Sequence, residues 1–81
     1  MIDGNRKTVR VFLDTKGRKG KMVTLISGIQ HNPQVLEVLA KELKQHCGAG
    51  GTVRGKELEI QGDQRKKIAE KLLAMNFVVK Q

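Results

Sequence analysis

The chain of 81 residues has no tryptophan, no tyrosine and only two phenylalanines. Single-strand RNA binders of the RNA-recognition-motif or cold-shock kind stack bases on several exposed aromatics, a mode for which this composition provides little. Phe12 and Phe77 lie in strand-like apolar segments and are expected in the core. Charge, shape and arginine planes are left as the means of contact. A single cysteine, Cys47, excludes an internal disulfide and agrees with a reducing compartment. Together with His31 and His46 it lacks the spacing of a zinc site. His46 and Cys47 form no nucleophile–base pair, because adjacent side chains on a helix diverge. No apolar run approaches the length of a membrane span, and the N-terminus lacks a signal-peptide pattern. The expected address is cytoplasmic. Acidic residues are scattered singly with no evident catalytic pair, so no enzymatic activity is expected.

What is abundant is positive charge. Sixteen Lys and Arg against eight Asp and Glu give a net charge of +8. Such a balance suits phosphate backbones. The charge is concentrated in Lys16-Gly17-Arg18-Lys19-Gly20-Lys21, a run without an acid between two strand-like segments. A hairpin turn needs no particular charge, and like charges in sequence repel, so the run points to a polyanionic partner. The plainer alternative is a solvated loop, as charge runs often are. The run is not a P-loop, because Thr15 stands where the first glycine belongs and Met22 where Ser or Thr belongs. Gly17-Arg18-Lys19-Gly20 spells the GxxG of KH domains, but that loop joins two helices, whereas strand alternation flanks this one.

Length allows one domain. Residues 1–7 read as a polar, flexible lead-in and 8–81 as the folded unit. From Thr8 to Asp14 the pattern alternates, with Val9, Val11 and Leu13 on one face and Arg10 and Phe12 on the other, which predicts a strand. Lys21 to Ile29 predicts its antiparallel partner. Asn32-Pro33 opens a helix as cap and first residue, Val35, Leu36, Leu39, Ala40 and Leu43 form its buried stripe, and Gly48 ends it. A second hairpin follows, 52–54 and 57–61 around Gly55-Lys56, with Leu58 and Ile60 inward. Asp63 is expected to cap a second helix with Ile68, Ala69, Leu72 and Leu73 buried, and Phe77-Val78-Val79 to form a short final strand. The order ββαββα, with a possible last β, predicts an α+β fold. Its form is a two-layer plait, an antiparallel or mixed sheet with both helices on one face.

The first turn of the second helix holds Arg65, Lys66 and Lys67, where the helix dipole favours acids; each cation there costs roughly 0.3–1 kcal/mol. Two readings stand side by side. A phosphate at the helix N-terminus would supply the missing negative charge, or the cationic stems cover apolar surface and pair locally with Glu70.

Three segments in order resemble one family, the eukaryotic and archaeal type of translation initiation factor 1 with its small bacterial relatives. They are Lys16-Gly17-Arg18-Lys19 with Val23-Thr24-Leu25-Ile26-Ser27-Gly28, then Cys47-Gly48-Ala49-Gly50-Gly51-Thr52-Val53, then Ile60-Gln61-Gly62-Asp63-Gln64-Arg65. The resemblance spans roughly residues 8 to 80, and the Gly-Ala-Gly-Gly connection is closer to archaeal and bacterial members than to eukaryotic ones. It implies a non-catalytic factor that needs no cofactor, binds small-subunit ribosomal RNA near the peptidyl site and helps select the start codon; nothing in the sequence demands more than a monomer. Initiator tRNA, messenger and other initiation factors would be its further partners. By position, Lys16, Gly17, Arg18, Lys19 and Lys21 would approach RNA. Lys41 and Lys44 on the first helix would be secondary contacts, and Gly48, Gly50 and Gly51 would serve backbone geometry. The alternatives are a general RNA-binding or stress-linked translation regulator without start-codon discrimination, and a protein-interaction module whose basic surface meets an acidic partner.

Overall fold

The computed structural model describes residues 3–15 and 22–81. The elements are β1 (Thr8–Asp14), β2 (Val23–Ser27), α1 (Pro33–Cys47), β3 (Gly51–Arg54), β4 (Glu57–Gln61), α2 (Arg65–Ala74) and β5 (Val78–Lys80). The strands form one sheet in the order β3-β4-β2-β1-β5. β1 and β2 are antiparallel with Asp14 opposite Val23 and Phe12 opposite Leu25. β2–β4 and β3–β4 are also antiparallel, whereas β5 lies parallel to β1, with Arg10 opposite Lys80. The sheet is therefore mixed, and the α+β plait expected from the element order is the fold observed.

Period-two alternation puts Val9, Val11, Ile26, Leu58 and Ile60 on one face of the sheet, where they share a buried core with Leu36, Leu39 and Leu43 of α1 and Ile68 and Leu72 of α2. Both helices cover that face. Each large side chain in this small core stabilises by about 1.5–3 kcal/mol when fully removed from water. α1 starts and stops as its sequence dictates. Asn32 Oδ1 accepts the Val35 N–H at 2.9 Å with Pro33 at the first helical position. At the other end Gly48 takes φ 64°, its N–H donating to Gln45 and that of Ala49 to Lys44. These two bonds make a Schellman motif, which Ala49 closes by packing on the core.

α2 begins differently from expectation. Its cap position is Gln64, which makes no side-chain cap, and Asp63 sits one residue earlier. The Asp63 carboxylate reaches the Arg65 N–H only at 3.4 Å and instead grips the Arg65 guanidinium, at 2.8 Å to Nε and 2.9 Å to Nη2. The helix start is set by Thr24 of β2, the one buried polar side chain among the described residues. Its Oγ1 accepts from the Gln64 N–H and donates to the Gly62 carbonyl, both at 2.8 Å.

Two apolar residues also leave the expected core. Leu73 is 57% exposed, because Ile68, Leu72 and Met75 complete the buried side of α2 and Leu73 projects about 100° away from Leu72. Phe12 is 38% exposed on the uncovered face of the sheet, whereas Phe77 is 3% exposed in the core. Residues 3–7 lie against the α2–β5 turn, with the Gly4 N–H donating to Met75 and the Arg6 N–H to Asn76. Gly4 packs on Phe77 so closely that a Cβ would stand 2.5 Å from the ring.

Candidate nucleic-acid interface

The topology brings the strand ends that flank the basic run, the end of α1 and the start of α2 to one end of the domain. β1 ends at Asp14, β2 starts opposite it at Val23, and Val23 is also opposite Gln61 at the end of β4. β3 starts at the same end, with Gly51 opposite Ile60. The C-terminus of α1 enters there through 48–50, where the Gly50 carbonyl accepts the Gln61 N–H at 2.9 Å. The N-terminus of α2 leaves from there through Gly62, whose N–H donates to the Met22 carbonyl at 2.9 Å. Met22 follows Lys21 directly, so this bond and the two made by Thr24 join the base of the first hairpin to the basic turn of α2.

The hairpin residues Lys16, Gly17, Arg18, Lys19 and Lys21 lie outside the described residues; the arms that carry them are described. Arg65, Lys66 and Lys67 are exposed on the first turn of α2. Lys44 is half-buried, its stem lying near Gly51, where a Cβ would sit 3.3 Å from Lys44 Cγ. Lys41 is exposed one turn back on α1. The charge of Lys67 is felt at Cys47, which ties the α2 start to the α1 end. Lys44 and His46 lie in the last turn of α1, where cations suit the helix dipole.

Arg65 is not an isolated cation. Asp63 holds it, and the pairing, chiefly the side-chain hydrogen bond, lowers the Asp63 carboxyl below its ordinary value and raises the Arg65 guanidinium above its own. Lys66 and Lys67 have no acid in their turn. Cys47 is buried, and burial, opposed by Lys67, pushes its thiol up, which keeps it protonated and unreactive at neutral pH. Among the described residues no group of three His, Cys, Asp or Glu could hold a metal ion, and no helix is long and apolar enough to cross a membrane.

The sequence family described as translation initiation factor SUI1 matches residues 5–78. The chain belongs to this family. A protein translation factor SUI1 homolog of Methanocaldococcus jannaschii is 49% identical over 76 residues, covering 94% of this chain and 73% of that one. Another SUI1 homolog, of Picrophilus torridus, is 42% identical over 79 residues, covering 96% and 79%. The protein YciH of Salmonella typhimurium is 50% identical over 72 residues, covering 89% and 67%. SUI1 membership supports a role in translation initiation and agrees with the family resemblance read from the three segments.

Within this SUI1 domain, sequence reasoning missed Thr24. Its one signal is a hydroxyl on the inward side of an apolar strand, where a buried polar group needs partners. It also missed the exposure of Phe12, although the alternation that puts Phe12 on the same face as Arg10 was legible.

Proposed function

We propose that this SUI1-family chain binds the small ribosomal subunit near the peptidyl site and helps select the correct start codon through its basic hairpin loop. The observation that carries the reading is the convergence of the hairpin base, the α1 C-terminus and the α2 N-terminus at one end of the domain. In this reading Lys16, Gly17, Arg18, Lys19 and Lys21 reach toward initiator tRNA and messenger. Lys41, Lys44, Lys66 and Lys67 meet ribosomal RNA phosphates, and Arg65 does so while held by Asp63. The chain acts in the cytoplasm as a monomer, without catalysis or cofactor, beside other initiation factors. Contacts to phosphate from long cationic stems fix position rather than sequence. Codon discrimination would then come from where the hairpin stands, not from base readout by its side chains.

The test is cosedimentation with purified small subunits, combined with a reporter that compares AUG with near-cognate start codons. Arg18→Glu with Lys19→Glu should abolish discrimination while the thermal melt stays unchanged. Retained discrimination in that folded variant contradicts the role of the loop. Equal affinity of the parent for small subunits and for unrelated structured RNA would favour the general RNA-binding alternative.

A further inference from the structure

The face of the sheet opposite the helices carries features that the interface above does not use. Phe12, 38% exposed, is the one aromatic ring on it, and the half-buried Leu25 stands directly across the ladder. Arg10, two residues along the same strand and on the same side, is opposite Lys80 of β5. Both are exposed, and neither is among the ion pairs that Arg54–Glu59 and Arg65–Asp63 make. Like charges directly opposite one another on a sheet are destabilising, and an exposed aromatic ring forgoes the gain of burial. Two local costs therefore fall side by side on one face.

We propose that this open face is a second RNA-contact surface, on which a base of single-stranded RNA stacks on Phe12 and the adjoining phosphates lie against Arg10 and Lys80. The inference rests on the reading of the chain as an RNA binder but concerns a different surface, on the other side of the sheet from the helices. Residues two apart on a strand are separated by about 7 Å and neighbouring strands by about 5 Å. The ring and both cations thus fall within reach of neighbouring groups on one RNA strand. Every base has a π-face, so a stack of this kind tolerates sequence, and a flanking arginine adds to it. Charge sets the direction of the strand. Arg10 and Lys80 lie together on one side of Phe12, so phosphates run from Phe12 toward them. Ser27, across from Arg10, offers a hydroxyl on the same path. The scarcity of aromatics then limits the surface to a single stack, and the cations supply the rest of the affinity.

The experiment is a titration of the isotope-labelled chain with a short oligouridylate, followed by amide shifts. Shifts centred on Arg10, Phe12, Leu25, Ser27 and Lys80 are expected. Phe12→Ala and Phe12→Leu should each weaken binding about tenfold, and Phe12→Tyr should preserve it. Leucine keeps bulk and loses the ring, so binding equal to the parent in Phe12→Leu overturns stacking. Arg10→Ala and Lys80→Ala should each reduce the log–log salt slope by about 0.7. Shifts confined to the helical layer, or tighter binding of an acidic peptide at the same residues, overturn the proposal. Small-subunit cosedimentation runs in parallel. A parent that stacks the oligonucleotide on Phe12 but does not bind subunits would overturn the proposed function and leave this surface standing.

Discussion

Thr24 Oγ1 accepts the backbone N–H of Gln64, forty residues later in the chain, at 2.8 Å. The same hydroxyl donates to the Gly62 carbonyl at 2.8 Å, and the side chain is fully buried. A single oxygen therefore takes the part that a capping side chain plays at the start of α1. It also holds the start of α2 against β2, the strand that follows the basic run in sequence.

Replacing Thr24 by valine keeps the shape and removes both bonds. A buried donor and acceptor left without partners cost about 1–3 kcal/mol, which lowers the melting temperature by several degrees in a domain of this size. Thr24→Ser loses a methyl group but keeps the oxygen. The two variants separate in hydrogen exchange at the Gln64 amide, which should lose protection in the valine variant and keep it in the serine variant. Equal protection in both would show that Thr24 only fills space.

The glycines of the α1–β3 connection should respond unequally to alanine. Gly48 takes φ 64° with nothing within 4 Å of the place a Cβ would occupy, so Gly48→Ala costs the left-handed strain alone, about 1–2 kcal/mol. At Gly50 a Cβ would meet only the Gln61 side chain at 3.4 Å, an ordinary contact. At Gly51 a Cβ would collide with the Glu59 carbonyl oxygen and stand 2.8 Å from Ile60 Cδ1. Denaturant melts should rank the losses as Gly51→Ala, then Gly48→Ala, with Gly50→Ala smallest, and a different order would contradict the close approach of β3 to β4.

Much of this architecture was legible and some was not, for reasons that differ by residue. β1 alternates cleanly and runs from Thr8 to Asp14 as its pattern says, and α1 carries its start signal, Asn32-Pro33, and its stop signal, Gly48, in sequence. β2 is shorter than its β-branched content suggests, because Gly28 at φ 87° turns the chain away while Ile29 still enters the core. The parallel seat of β5 beside β1 depends on a tertiary choice of edge that no local pattern encodes. Asp63 fits a capping signature, yet its carboxylate is drawn to the Arg65 guanidinium, and the cap is supplied by Thr24 from another strand. At the candidate interface, charge marked the candidate residues, and only the topology showed that the end of α1, the start of α2 and the strand ends flanking the basic run share one end.

Acid should weaken the fold through two carboxylates. Asp63 is held below its ordinary pKa first by the Arg65 side chain. Asp3 is held low first by the Asn5 backbone N–H and then by the Asn76 side chain. A carboxylate whose pKa falls on folding adds stability above the unfolded value of about 3.9 and loses it as pH drops through the lower folded value. Melting temperature should therefore decline from about pH 4 downward. The double variant Asp3→Asn with Asp63→Asn should decline less, and an undiminished acid dependence would show that neither carboxylate contributes.

Lys66 and Lys67 offer a case in which stability and binding should move in opposite directions. Both stand in the first turn of α2, with no acid in that turn, against the positive end of the helix dipole. Arg65 differs because Asp63 already neutralises it. Lys66→Ala and Lys67→Ala should each stabilise the domain by roughly 0.3–1 kcal/mol at low salt. If the two lysines meet ribosomal RNA phosphates, each variant should also bind small subunits more weakly, with a log–log salt slope smaller by about 0.7. Arg65→Ala should differ in stability as well, because it removes a partner from Asp63 and so raises the pKa of that carboxylate. Lysine variants that gain stability without losing affinity would mean that the cations serve only the surface, as stems over apolar groups. Variants that gain stability while losing affinity would mean that the unfavourable charges are kept for RNA.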